Sequence, residues 1–191
     1  MSVATQFPAT ETFGGTETDT WVSPENVHAD DGINATFAGW SLAPSELRTL
    51  GNYYWGTFGF DSALPGGATI TQVVVEWEWN YASAGGQVPT SSAALYVSGA
   101  LAAFTGQYDT TGVTSEDVTS QRAWVRADFL DAVFEAKAIV TQIDDGSGGG
   151  SVTDVTLDYV KVIVTYTSGT PSLKHGPTVI RRQSIFRGAN F

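Results

Sequence analysis

Between Thr69 and Tyr81 the side chains alternate with a period of two. Val73, Val75, Trp77, Trp79 and Tyr81 share one parity and Gln72, Glu76, Glu78 and Asn80 the other; from Gln72 onward only Val74 breaks the pattern. Successive side chains of a strand point to opposite faces, so a run of this length specifies a β-strand with one face buried and one in water. A strand with one wet face belongs in an antiparallel sheet, and its apolar face needs a second layer to cover it. The same period recurs in Val155–Thr167, where Val160, Val162, Val164 and Tyr166 form the buried parity. Trp77, Trp79 and Tyr166 are therefore expected as core aromatics.

Shorter segments fill in the rest of an all-β pattern. Ile33–Phe37, Tyr54–Phe60, Ala94–Val97, Leu101–Phe104 and Val133–Gln142 have strand composition and are separated by Gly-, Pro- and Asp-rich turns, among them Ala63–Gly67 and Asp144–Ser151. Leu42–Leu50 predicts a single helical turn capped by Ser45. Arg122–Glu135 fits neither the helical nor the strand period and predicts a turn around Asp128–Asp131 that leads into a strand. Strands every 8–15 residues with little helix specify an antiparallel β-sandwich. The expected division is an N-terminal arm over residues 1–20, a sandwich over 21–167 and a C-terminal arm over 168–191.

The C-terminal boundary is drawn by charge. Residues 1–167 carry all 20 acidic residues against 5 basic ones, whereas residues 168–191 carry Lys174, Arg181, Arg182 and Arg187 and no acid. A basic tail on an acidic body is attracted to other copies of that body, and this tail is too short and too poor in apolar residues to bury itself. It is expected to dock into an assembly, probing a sheet edge with Thr178–Phe186. Val179, Ile180, Ile185 and Phe186 would supply apolar contacts, and Arg181, Arg182 and Arg187 would pair with carboxylates. The net charge of −11 disfavours direct nucleic-acid binding. The opening fifteen residues have no signal-peptide pattern, and no apolar run approaches the ~20 residues of a membrane span.

Catalytic constellations are sparse. With two histidines, His28 and His175, and no cysteine, a zinc site would have to lean on carboxylates, and none is expected. Asp30-Asp31-Gly32 and Asp144-Asp145-Gly146 suit ordinary turns, with calcium binding as the competing use; Asp158 is the next carboxylate such a site would recruit. Glu76 and Glu78 share a wet strand face, where surface charge is a far commoner role than a glycosidase acid pair. Neither a metal, a cofactor nor catalysis is expected. Trp21, Trp40, Trp55, Trp77, Trp79 and Trp124 could be core ballast or, if exposed and coplanar, a sugar-stacking platform. Trp77 and Trp79 go to the core by parity, and the others stay open.

Three segments carry a family likeness: Thr20–Trp40 (TWVSPENVHADDGINATFAGW), Phe58–Tyr81 (FGFDSALPGGATITQVVVEWEWNY) and Val155–Thr167 (VTLDYVKVIVTYT). Together they resemble a pattern of tailed-phage virion proteins of the jelly-roll type, with its opening W-x-x-P-x-N motif, its Pro-Gly turn before an Ile-x-x-Val-x-Val strand, and its closing Asp-Tyr-Val strand. The resemblance implies a jelly-roll-like sandwich and a non-enzymatic part of a particle: a head-decoration or minor capsid protein, or a tail or connector component. Its implied partners are other virion proteins, including the major capsid protein, and further copies of itself. Its implied location is the virion, assembled in the host cytoplasm. The rival expectation is a carbohydrate- or receptor-binding sandwich.

Overall fold

In chain order the strands are β1 (Ser2–Gln6), β2 (Thr10–Phe13), β3 (Ala35–Phe37), β4 (Trp40–Ser41), β5 (Leu47–Leu50), β6 (Tyr53–Gly56), β7 (Thr69–Ser83), β8 (Thr90–Val97), β9 (Ala100–Phe104), β10 (Gly112–Asp117), β11 (Phe134–Ile143) and β12 (Ser151–Thr167). A one-turn helix, α1 (Phe60–Ala63), and 3-10 turns at Pro24–Val27, Thr119–Gln121 and Arg126–Phe129 occupy connections. The structure is a computed structural model and describes residues 1–14, 20–37, 40–41, 47–51, 53–83, 88–143 and 151–169.

The strands form two sheets in which every pairing is antiparallel. The first runs β1-β12-β7-β10, with β3 and β4 continuing the line of β1 along β12; the second runs β2-β6-β11-β8-β9, with β5 beside β6 on β11. Most connections carry the chain from one sheet to the other, the wrapping of a jelly-roll-like sandwich. β8 and β9 are a direct hairpin. Its turn, Ser98-Gly99, has φ of 53° and 75°, and glycine takes the second left-handed position without a steric penalty.

The core lies between the sheets, where the alternation of β7 placed it. Val73, Val75, Trp77 and Trp79 are buried, as are Val155, Leu157, Val160, Val162 and Val164 from β12. Phe58, Phe60, Phe129 and Phe134 form a cluster with ring centroids 5.1–6.0 Å apart. Four buried indoles donate to oxygens: Trp55 to Pro24, Trp77 to the Ser91 hydroxyl, Trp79 to Thr110 and Trp124 to Val118. These bonds remove the cost of dehydrating an N–H. Tyr81 and Tyr166, expected inside, are half-buried at the rim and pack against the core from there.

Several expectations are corrected. The first fourteen residues are not a free arm: β1 pairs with β12 over Ser2–Gln6, and β2 pairs with β6 over Thr10–Phe13. Ala4 is the only buried side chain of β1 and Val3 is exposed, so backbone pairing and not an apolar face recruits this strand. Leu47–Leu50 is a strand on β11 and not the end of a helical turn; residues 42–46 lie outside the described residues. β10 has no apolar alternation to mark it in the sequence, since its one large apolar residue, Val113, faces solvent. The docking residues Val179, Ile180, Arg181, Arg182, Ile185, Phe186 and Arg187, together with His175, Asp144 and Asp145, also lie outside the described residues.

Candidate functional site

The wet face of β7 sets out its carboxylates in two different environments. Glu76 accepts a 2.7 Å hydrogen bond from the Tyr159 hydroxyl and forms an ion pair with Lys161. Lys161 in turn lies 4.9 Å from the centre of the Tyr159 ring and 5.8 Å from that of Phe7, which folds over from the chain after β1. The charge of Glu76 is thus answered by a cation and a hydroxyl. Burial and the neighbouring Glu76 carboxylate push the Tyr159 hydroxyl far above its ordinary range, so it stays a donor.

Glu78, two residues on, has no hydrogen bond or ion pair of this kind among the described residues. β12 makes a bulge here: Leu157 opposes Trp79 and Tyr159 opposes Glu78, so Asp158 is the extra residue. The bulge turns Asp158 into a buried position beside the loop that follows the first 3-10 turn. There the backbone N–H of Gly32 donates to both its oxygens, at 3.1 and 3.3 Å. Asp30 from the same loop completes a group in which one oxygen each from Asp30, Glu78 and Asp158 lies within 4.8 Å of the others. The adjoining cleft has a volume of about 150 Å³ and is lined in part by Asn34 and Thr156.

Three converging carboxylates disfavour one another's charge. Burial first, then the neighbouring Asp158 and Asp30, raise the Glu78 carboxyl above the ordinary range. Asp158 is also raised, by burial and by repulsion from Asp30 and Asp31, against the opposing pull of the Gly32 N–H. Such a group can respond in two ways: by keeping a proton, or by gathering around a hard cation that prefers oxygen ligands. Asp30, Glu78 and Asp158 are the residues that could hold one.

The structure redistributes the residues singled out in the sequence. Asp30 and Asp158 come together, but with Glu78 in place of Asp31, whose carboxylate instead accepts from the Ile33 N–H. Glu76 and Glu78 do not face each other across a groove, since Glu76 is occupied by Tyr159 and Lys161. His28 stands apart, its Nε2 2.9 Å from Glu11. Trp21, Trp55, Trp77, Trp79 and Trp124 are all buried, so these five form no exposed platform; the side chain of Trp40 lies outside the described residues.

A second cleft opens on the outer face of the other sheet, with a volume of about 280 Å³. The register places Thr10, Gly56, Glu135, Tyr96 and Leu101 in one row across five strands. Because Gly56 has no side chain, the row is interrupted between Thr10 and Glu135. A Cβ at that position would make ordinary van der Waals contact with the Thr10 hydroxyl at 3.4 Å and with Glu135 Cγ at 3.8 Å, so a side chain there would close the interval between them.

No protein-family model matches the chain, and no curated protein is similar to it.

Proposed function

We propose that this protein is a non-enzymatic structural subunit of a tailed-phage virion, at the head surface, the connector or the tail. It would be joined to neighbouring virion proteins, the major capsid protein among them, and to further copies of itself through its basic C-terminal segment. The observation that carries this reading is the free edge of β10. That strand pairs only with β7 among the described residues, runs into Glu116-Asp117, and borders a sheet face bearing Glu76, Glu78 and Asp158. An unpaired edge is a template for an incoming strand. The tail of this chain offers β-compatible residues whose only charges are positive. The chain also leaves the first sheet on a convenient side: Thr167 opposes Thr69, at the end of β7 toward which Asp117 lies.

The sandwich interior is consistent with a structural role. It is filled by aromatic and branched side chains, and the described polar clefts lie on outer faces. The experiment is direct: purified particles from the phage or lysogen encoding the chain are analysed by mass spectrometry, and the chain is located by imaging. The chain is expected in the particle at a fixed copy number. Deletion of residues 168–191 is expected to leave the sandwich folded but to deplete it from particles. Absence of the full-length chain from purified particles would sink the proposal.

A further inference from the structure

The outer face of the second sheet differs chemically from the rest of this acidic body. Along β2, β6 and the β8–β9 hairpin it presents Thr10, Thr12, Thr57 and Ser98, and its charges in the central rows are single ones, Glu135 and Lys137. Lys137 is drawn over the Tyr54 ring, 5.1 Å from its centre. Tyr54 meets Tyr96 edge to face at 5.0 Å, which fixes the two rings. The cleft at Gly56 lies beside this pair.

We propose that this cleft is a binding site for a neutral saccharide, one sugar ring deep, and independent of the assembly role proposed above. Its volume is just under the ~300 Å³ at which pockets for larger ligands begin. Its lining mixes hydroxyls, which both donate and accept, with the carboxylates of Glu135 and Asp131, which accept from pairs of ligand hydroxyls. Part of this set is already committed: Thr10 and Thr57 hydrogen-bond each other at 2.9 Å, and one Asp131 oxygen accepts from the Gly59 N–H at 2.8 Å. Those contacts hold the wall rigid. The Thr12 and Ser98 hydroxyls and the Glu135 carboxylate face the cleft without a hydrogen-bond partner among the described residues.

Two further observations favour a built site. Thr57 has φ of 54°, a left-handed conformation that a β-branched residue adopts only where its surroundings impose it, and its hydroxyl is one of those lining the cleft. Tyr96 stands directly across the strand pair from Glu135, and side chains so paired lie ~5 Å apart at Cβ. A sugar hydrogen-bonded at Glu135 would have this aromatic side chain as its neighbour on the sheet, and an aromatic ring is a surface on which the apolar C–H side of a pyranose packs. A metal ion is a poorer fit, because the described residues bring two carboxylates to the cleft and one of them is partly spent on Gly59.

The test uses the full chain and four soluble probes, maltotriose, cellotriose, mannotriose and triacetylchitotriose, titrated by calorimetry and by ligand-observed NMR. At least one is expected to saturate with a Kd of about 1 mM or tighter. Gly56→Val, which fills the gap, and Glu135→Gln, which removes the charged acceptor but keeps its shape, are each expected to weaken that binding about tenfold or more. Both variants should melt close to the wild-type temperature. The proposal is overturned if none of the four probes saturates at about 10 mM. It is equally overturned if the folded Glu135→Gln variant binds like wild type, or if arginine amide saturates the cleft while every saccharide fails.

Discussion

Trp77→Ala is the most demanding perturbation of the core. Trp77 is fully buried, its Nε1 donates to the Ser91 hydroxyl at 2.9 Å, and its ring meets Tyr108 edge to face at 5.8 Å. Truncating a buried Trp or Phe to Ala costs about 3–5 kcal/mol through lost transfer energy and the remaining cavity. Ser91 is itself buried, so its hydroxyl also loses its partner, which adds about 1 kcal/mol or more. The expected loss is therefore that range raised by the lost hydrogen bond, about 4–6 kcal/mol. For a chain of this size each kcal/mol lowers Tm by about 2–4 °C, giving a drop of roughly 10–20 °C. Trp77→Phe separates the two effects: it keeps most of the ring and gives up the N–H, and should cost about 1–3 kcal/mol. Urea unfolding followed by circular dichroism, with m-values compared, measures both. A Trp77→Ala variant within about 1 kcal/mol of wild type would refute the burial and the hydrogen bond together.

Three further outcomes are expected. The raised Glu78 and Asp158 carboxyls keep their protons in the fold at a pH where the unfolded chain has lost them. Their contribution is complete below the ordinary carboxylate range near pH 4 and is lost as pH rises through the raised values. Asp30→Asn should therefore raise Tm slightly at pH 7, by about 0.5 kcal/mol or less in stability, and the gain should vanish on acidification; a Tm loss at pH 7 would contradict it. Asp128 runs the other way: burial opposes its charge, but Arg122 and the Val125 N–H more than offset this and hold its carboxyl below the ordinary range. That stability is present above the ordinary range and lost as pH falls through the lowered value, so Asp128→Asn should cost about 1–3 kcal/mol at pH 7 and less in acid, as paired denaturation curves would show. Deleting residues 1–7 bares the edge of β12 at Val162–Tyr166, and should give both a lower Tm and concentration-dependent association by size-exclusion chromatography.

The parts legible in the sequence were those where side chains alternate. β7 and the C-terminal part of β12 carry enough paired apolar residues for their faces to be assigned, and the strand composition of Ala94–Val97 and Leu101–Phe104 marks the two arms of the β8–β9 hairpin. Among the strands that escaped, β1 and β10 are held by the backbone groups of long neighbours. Their own side chains, SVATQ and GVTSED, carry no such period. The carboxylate group was hidden for a related reason. Asp30 and Asp158 were visible as candidates, but the bulge that shifts Asp158 into place beside Glu78 is a feature of pairing between two strands, and neither strand encodes it alone. The Gly56 cleft is likewise the product of a register spanning β2, β6 and β11.

β12 sits at the centre of the first sheet, with β7 on one side and β1, β3 and β4 on the other, and among the described strands it is the last to be synthesised. Ser2 pairs with Tyr166, so the first and last of the described strands are hydrogen-bonded neighbours. A growing chain on the ribosome therefore holds β1, β3 and β4 without their shared partner, and β7 paired only with β10, until β12 emerges. Closing such distant pairs is entropically slow, and the exposed edges are vulnerable in the meantime. Premature termination anywhere before residue 151 removes the shared partner of all four strands and leaves a chain that aggregates or is degraded. The second sheet, whose strands β8, β9 and β11 are complete by residue 143, is the half that can begin to organise while synthesis continues.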